Sequence, residues 1–314
     1  MFHQTVIWAA MTATLAATAS ADAQTGSIPP DIAAKLVALG RVIDPEKTAP
    51  LYAPLQQTEP YTGVKVTRDI KYGAADRNLL DLFVPEGTAG TRPVLIYVHG
   101  GGFIRGNKRM PGSPFYDNIL LWAARSGMVG VNITYRLAPQ APWPAGAEDV
   151  AAAVRWVADN IAGHGGDAGR VFLMGHSAGA THVASYVAFP QFHGPRGAGL
   201  AGAIMTSGVY DLTKMDMSDG GTAYFGGDRA RHAERSALPG LASSTLPLMF
   251  AAAELDPPPF IKQLDAIREM LCKGERCPRT LLLHQHSHMS EVYAINTADT
   301  RLTGEILDFI KTGR

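Results

Sequence analysis

Gly175-His176-Ser177-Ala178-Gly179 sets one serine between two glycines. The pentad follows a short apolar run, Val171 to Met174, and precedes an alanine-rich stretch, Ala180 to Val187. A sharp turn from strand into helix needs small residues two positions either side of the serine, because the two backbones approach closely there. The hydroxyl then stands at the start of a helix, where unpaired N–H groups and the helix dipole favour a developing oxyanion. Alone the pentad is weak, since glycine and serine are common and a serine N-cap in a tight turn explains it as well. The strand before it and the helix after it point to a nucleophile.

A second glycine cluster, His99-Gly100-Gly101-Gly102-Phe103, follows the apolar run Val94 to Val98. Three consecutive glycines leave backbone N–H groups uncovered, so a substrate oxygen can reach them. A tetrahedral intermediate needs two or three such donors, and losing one costs about 3 kcal/mol. A flexible loop is the bland alternative. A phosphate cradle would carry G-x-x-x-x-G-K-[ST] and a positioned lysine, which this segment lacks.

A serine hydroxyl needs a base within hydrogen-bond reach, and the base needs an orienting carboxylate. Around a strand–serine–helix turn the chain order is serine, acid, histidine. Two acids, Glu254 and Asp256, follow the run Leu248 to Ala252. Asp256 precedes Pro257-Pro258-Pro259, which breaks any continuation and leaves it on a loop. Three histidines, His284, His286 and His288, follow Arg279 to Leu283. If that strand continued through His288, alternate imidazoles would share one face and could ligate a zinc ion, which is a competing reading for a metal-assisted hydrolase. The glycine motifs would then be unexplained.

The string HGGGF, Tyr135-Arg136-Leu137-Ala138-Pro139, Trp143-Pro144, Asp149 and GHSAG resembles the hormone-sensitive-lipase-like esterases of the α/β-hydrolase superfamily. It is also similar to the feruloyl-esterase-like and kynurenine-formamidase-like branches. The resemblance spans about 64 to 314. It implies a catalytic triad of Ser177, Asp256 and His288, with Glu254 and His286 as the alternatives. It implies that the N–H groups of Gly100, Gly101 and Ala178 form the oxyanion hole, and that Asp149 and Tyr135-Arg136 are structural supports. No cofactor or metal is required by that chemistry.

The elements that must position these residues are legible as well. Val64 to Ile70 alternates apolar and polar, as a half-buried strand does, and Leu79 to Val84 is its antiparallel partner. The continuous runs at 94–98, 129–133, 171–174, 203–205, 248–252 and 281–283 read as strands buried on both faces. Val150, Val154, Val157 and Ile161 recur at helical spacing, as do Ile261, Leu264, Ile267 and Leu271, and 301–310 reads as a closing helix. The expected fold is α/β: a mostly parallel sheet with antiparallel N-terminal strands and helices on both faces.

Residues 1–23 read as a signal peptide: an apolar stretch, Val6 to Ala19, then Ala21-Asp22-Ala23, with cleavage before Gln24. The segment before the stretch, Met1 to Gln4, carries no lysine or arginine. The run is shorter than the ~20 residues a membrane span needs. The expected location is periplasmic or secreted. Residues 24–60 form a Pro- and Ala-rich arm with one helical patch, Ile32 to Leu39, expected to act as a lid, and 61–314 form one catalytic domain. Cys272 and Cys277 flank a turn-like tetrad and could close a local disulfide in an oxidising compartment, or remain free thiols.

With 28 basic and 28 acidic residues the net charge is zero, and no long run of one sign appears. Nucleic acid is therefore excluded as an expected partner, since phosphate neutralisation requires a basic footprint. The expected partner is a small-molecule ester. An arylformamidase-type amidase and a catalytically silent hydrolase-fold binding protein are the alternatives. The segment 206–245, with Tyr224-Phe225-Gly226-Gly227 and several methionines, is expected to shape an apolar acyl pocket.

Overall fold

A computed structural model describes residues 26–313, apart from 88–89, 111, 196 and 274–276. The signal-peptide expectation falls on residues outside the described range. The strands are β1 (Val64–Lys71), β2 (Leu79–Pro85), β3 (Arg92–Val98), β4 (Val129–Ile133), β5 (Gly166–His176), β6 (Gly202–Thr206), β7 (Leu248–Ala253) and β8 (Arg279–Leu283). The helices are α1 (Pro30–Leu39), α2 (Pro45–Tyr52), α3 (Asp117–Arg125), α4 (Ala145–Asn160), α5 (Ala178–Ala188), α6 (Asp219–Phe225), α7 (His232–Arg235), α8 (Leu238–Ser243), α9 (Pro258–Leu271), α10 (Ser290–Tyr293) and α11 (Arg301–Thr312).

The strands form one eight-stranded sheet in the order β1-β2-β4-β3-β5-β6-β7-β8. β1 and β2 are antiparallel, β2 meets β4 antiparallel, and every pair from β4 through β8 is parallel. This is the α/β fold expected from the sequence. Period-two geometry explains the unbroken apolar runs. Val94, Ile96 and Val98 of β3 join the core under α4, α5 and α9, while Leu95 and Tyr97 join the core under α3 and α11. Each fully buried aliphatic side chain contributes roughly 1.5–3 kcal/mol.

Two departures have local causes. β5 begins at Gly166, five residues before its apolar run, because Gly166 still pairs with Arg92 of β3. The arm holds two helices where one was expected. α2 starts with Pro45 in its first turn, after Asp44, whose carboxylate accepts from the Lys47 N–H at 2.9 Å. The Pro- and Ala-rich composition of the arm hid this cap. Ile32, Ala33, Leu36 and Tyr52 of the arm are buried in the same core as α3, α10 and α11. Cys272 and Cys277 are joined in a disulfide, with Cα atoms 4.2 Å apart. Among the described residues, no helix is long and apolar enough to cross a membrane.

Candidate active site

The parallel strands deliver three loops to one end of the sheet. β5, near its centre, ends in the GHSAG turn. Ser177 adopts φ 56° and ψ −122°, a conformation that a non-glycine residue holds only when its surroundings impose it. Its N–H donates to the Thr206 carbonyl at 2.9 Å, which ties the turn to the end of β6. Gly179 makes the turn sterically feasible: a Cβ there would stand 2.1 Å from the Val98 carbonyl oxygen. Ser177 is partly exposed although its neighbours in the turn are buried. Ala178 is the first residue of α5, a position whose N–H has no partner within the helix.

The second loop carries the three glycines. A Cβ on Gly100 would lie 3.1 Å from the Cβ of Ser177, so the glycine backbone runs beside the serine. Gly101 has φ 131°, which favours glycine, and a Cβ there would collide with the Arg105 carbonyl. The loop is anchored from outside. The Tyr135 hydroxyl donates to the His99 carbonyl at 2.8 Å, and Arg77 donates to the Tyr135 and Gly106 carbonyls at 2.7 and 2.8 Å. Asp149 accepts from the Arg136 N–H at 2.7 Å and from its Nε at 2.9 Å, which fixes the segment after β4. This is a supporting arrangement, as the sequence led us to expect.

The third group is the acid and the histidines. Asp256 lies in the loop after β7, wholly buried. Its Oδ1 is 2.6 Å from Nδ1 of His288, and its Oδ2 accepts from the Ser207 hydroxyl at 2.6 Å and the Ala253 N–H at 2.9 Å. His288 is wholly buried, and Phe260 stands over its ring at 4.7 Å. The ring of His176, the residue before Ser177, is also 4.7 Å from that of His288. Nε2 of His288 carries no hydrogen bond among the described residues. The Ser177 hydroxyl therefore does not donate to it in this structure; such bonds often tighten only around a bound substrate.

The alternatives separate clearly. Glu254 accepts from the Gln285 N–H at 2.7 Å and lies 3.6 Å from the exposed His284, away from His288. His286 is buried elsewhere: Nδ1 is 3.0 Å from the Ser290 hydroxyl, and Nε2 is 3.0 Å from Asp299 and 2.9 Å from Arg301. β8 ends at Leu283 and the backbone turns at Gln285, φ 62°, so the three imidazoles of 284–288 do not share a face. Among the described residues no three His, Cys, Asp or Glu side chains group as metal ligands.

Apolar side chains border the serine. Ala178 packs in one cluster with Phe103, Val209, Leu212, Tyr224 and Phe225, and Trp143, Met215, Met217 and Phe260 lie against it. His182, without a role in the sequence reading, sits edge-on to Phe103, Tyr135 and Tyr224. Burial pushes its pKa down to about 3, so it packs as a neutral ring.

Sequence reasoning missed several neighbours. Ser207 binds the acid, and Arg41 of the arm donates to the Asp256 carbonyl at 3.3 Å. Gln56 donates to the Tyr293 and Ile295 carbonyls at 2.9 and 2.8 Å, just past the His288 loop. Glu291 is buried behind His288 and beside His176. Their partners lie far away in the chain, and no motif couples them.

The BD-FAE family profile matches residues 80–261, more than half of the chain. Esterase LipQ of Mycobacterium tuberculosis is 37% identical over 161 residues, covering 48% of this chain and 37% of that protein. The chain spans only 23% to 37% of the length of such curated relatives. Esterase B from Lactobacillus rhamnosis superposes with a TM-score of 0.69 at 20% identity, over 91% of this chain and 96% of that one. An esterase of the bacterial hormone-sensitive lipase family gives 0.65 at 20% identity, over 91% and 99%. At that identity the structures speak for the fold. The chain carries the α/β-hydrolase fold and belongs to the BD-FAE family.

Proposed function

We propose that this protein is a serine carboxylesterase that hydrolyses small carboxylic esters through an acyl-enzyme on Ser177. The observation that carries the reading is the buried Asp256–His288 contact at 2.6 Å, set beside a strained serine turn and a glycine-lined backbone. The esterase names of its relatives support the same reaction class.

The chemistry runs in two steps. Ser177 Oγ attacks the ester carbonyl while Nε2 of His288 takes its proton. Asp256 holds Nδ1–H and stabilises the imidazolium. The N–H groups of Gly100, Gly101 and Ala178 receive the oxyanion, an interaction worth about 3 kcal/mol per donor. The C–O bond breaks, and the leaving alcohol takes the proton from His288. Water then attacks the acyl-enzyme, with His288 as base, and Ser177 regains its hydrogen. Export is part of the proposal. Its support is the apolar segment Val6 to Ala19 followed by the Ala21-Asp22-Ala23 motif, and the Cys272–Cys277 disulfide, which suits an oxidising compartment.

A fluorophosphonate probe tests the mechanism. Labelling is expected on the wild type at Ser177 and absent from Ser177→Ala. A graded series of p-nitrophenyl esters, run beside N-formylkynurenine, tests the substrate class. Faster turnover of the formamide would make the protein an amidase. No labelling and no turnover would make it a binding protein on a hydrolase fold, and loss of activity to a chelator would make it a metalloenzyme.

A further inference from the structure

Behind His288, on α10, Glu291 is buried with 1% exposure, and neither carboxyl oxygen has a partner in hydrogen-bond geometry among the described residues. The Ser207 hydroxyl is near enough to favour its charged form but donates to Asp256 at 2.6 Å. Nε2 of His176 lies 2.9 Å from the His288 carbonyl oxygen with hydrogen-bond geometry. The same nitrogen lies 3.1 Å from Oε1 of Glu291, a close approach without that geometry. The other titratable or polar groups around Glu291 come from four places. They are Asp256 after β7, His288 itself, Ser207 after β6, and the hydroxyls of Tyr97 on β3 and Tyr210 after β6. No lysine or arginine is among them.

A buried carboxylate is tolerated when a cation or several donors compensate it. Glu291 has neither, and it faces a second carboxyl, Asp256. We propose that Glu291 and His176 are a positioning pair for the base: His176 grips the backbone of His288 from behind, and an uncharged Glu291 closes that side, so that Asp256 is the one negative charge beside the imidazole. This rests on the esterase reading of Ser177. Burial, followed by the Asp256 charge, pushes the Glu291 carboxyl well above its ordinary range. Burial also pushes His176 down to about 4, although Asp256 and the His288 carbonyl oppose it. Burial thus disfavours the charged form of both partners. A neutral His176 has one N–H, and the geometry assigns it to Nε2 and the His288 carbonyl.

Three single variants, one double variant and one spectrum test the pair. Glu291→Leu and His176→Phe are each expected to lower kcat about tenfold with little change in KM, and the double variant to lose little more than either single one. Glu291→Gln, neutral and of the same shape, is expected to restore most of the lost kcat. Its acid limb of kcat/KM against pH should stay within about half a unit of wild type. Infrared difference spectra at pH 7 should contain a protonated-carboxyl C=O stretch that Glu291→Gln removes. The inference is overturned by a wild-type kcat in folded Glu291→Leu, or by independent, additive losses from the two single variants. It is equally overturned if Glu291→Gln moves the acid limb a full unit downward, because an ionised Glu291 had been supporting the imidazolium, or if the infrared band is missing. If Glu291→Leu does not fold, His176→Phe, Glu291→Gln and the spectrum decide. A wild type that neither labels nor turns over esters sinks the parent reading instead, while the spectrum still reports on Glu291.

Discussion

Asp256 is the residue on which the candidate site converges, because it receives His288, Ser207 and the Ala253 N–H at once. Asp256→Asn keeps the shape and loses the charge that holds the imidazole tautomer. On the proposed mechanism ester turnover should fall about 10⁴-fold with the fold intact, the loss seen when a serine triad loses its carboxylate. Ser207→Ala removes one charge-assisted hydrogen bond from a wholly buried carboxylate, a loss of about 2 kcal/mol. Urea titration should register that destabilisation, and kcat should drop roughly tenfold as the acid loosens. Unchanged stability in Ser207→Ala would mean that the hydroxyl contact carries no weight. Ser177 and the three glycines were legible because a turn's requirements are local: small neighbours, bare N–H groups, a helix start. Asp256 was legible through its proline neighbours and chain order. Ser207 and Glu291 were not. Ser207 looks like any serine after a strand, and Glu291 looks like an ordinary acid in a first helical turn, where carboxylates are favoured anyway. Only the meeting of the loop after β6 with the loop after β7, and of α10 with the end of β5, gives them their partners.

At the level of elements, the sheet was legible because strands covered on both faces cannot afford polar residues. That is why the runs 94–98, 129–133 and 248–252 fall inside β3, β4 and β7. The arm was legible only in part. α1 declares itself by spacing, whereas the purpose of α2 depends on distant carbonyls. Gln56, just beyond α2, ties the arm to the segment after α10, and Arg41 ties it to the acid loop. These contacts describe a brace on the loops that carry the acid and base. Gln56→Ala removes three hydrogen bonds, two donated to the Tyr293 and Ile295 carbonyls and one accepted from Asn296, at about 1 kcal/mol each, and for a domain of this size Tm should fall by roughly 5 °C. Leu36→Ala, in the buried face of α1, should cost 2–5 kcal/mol by leaving a cavity. A lid would behave differently. Gln56→Ala would then change KM for long-chain esters and leave Tm where it was. Thermal melts and a chain-length series on the same samples separate brace from lid.

For the whole molecule, the buried histidines set the response to acid. Burial pushes His99 and His182 down to about 3 and His176 to about 4, and it lowers His286 as well. In the unfolded chain each titrates near 6.5. Between 6.5 and the folded value, the unfolded chain binds a proton that the folded protein refuses, so acid favours unfolding. Each such group removes up to about 1.4 kcal/mol of stability per pH unit in that window. For the three with folded values near 3 to 4 this reaches about 4 kcal/mol per unit. Glu291 runs the other way, because its carboxyl is pushed up and holds a proton in the folded state that the unfolded chain has released, which offsets about one histidine above its unfolded value. The net loss on the acid side should therefore begin as pH falls below about 6.5 and steepen towards 4.5. Above the histidines' range the Glu291 contribution alone remains and makes stability decline as pH rises towards that carboxyl's folded value. Urea midpoints at pH 8, 7, 6 and 5 measure the slope directly. His182→Phe should flatten it by about one histidine's share, because His182 has no hydrogen bond among the described residues and sits in an aromatic cage that accepts a phenyl ring. A slope unchanged in His182→Phe would show that this ring takes up its proton in the folded protein, against the burial that the structure gives it.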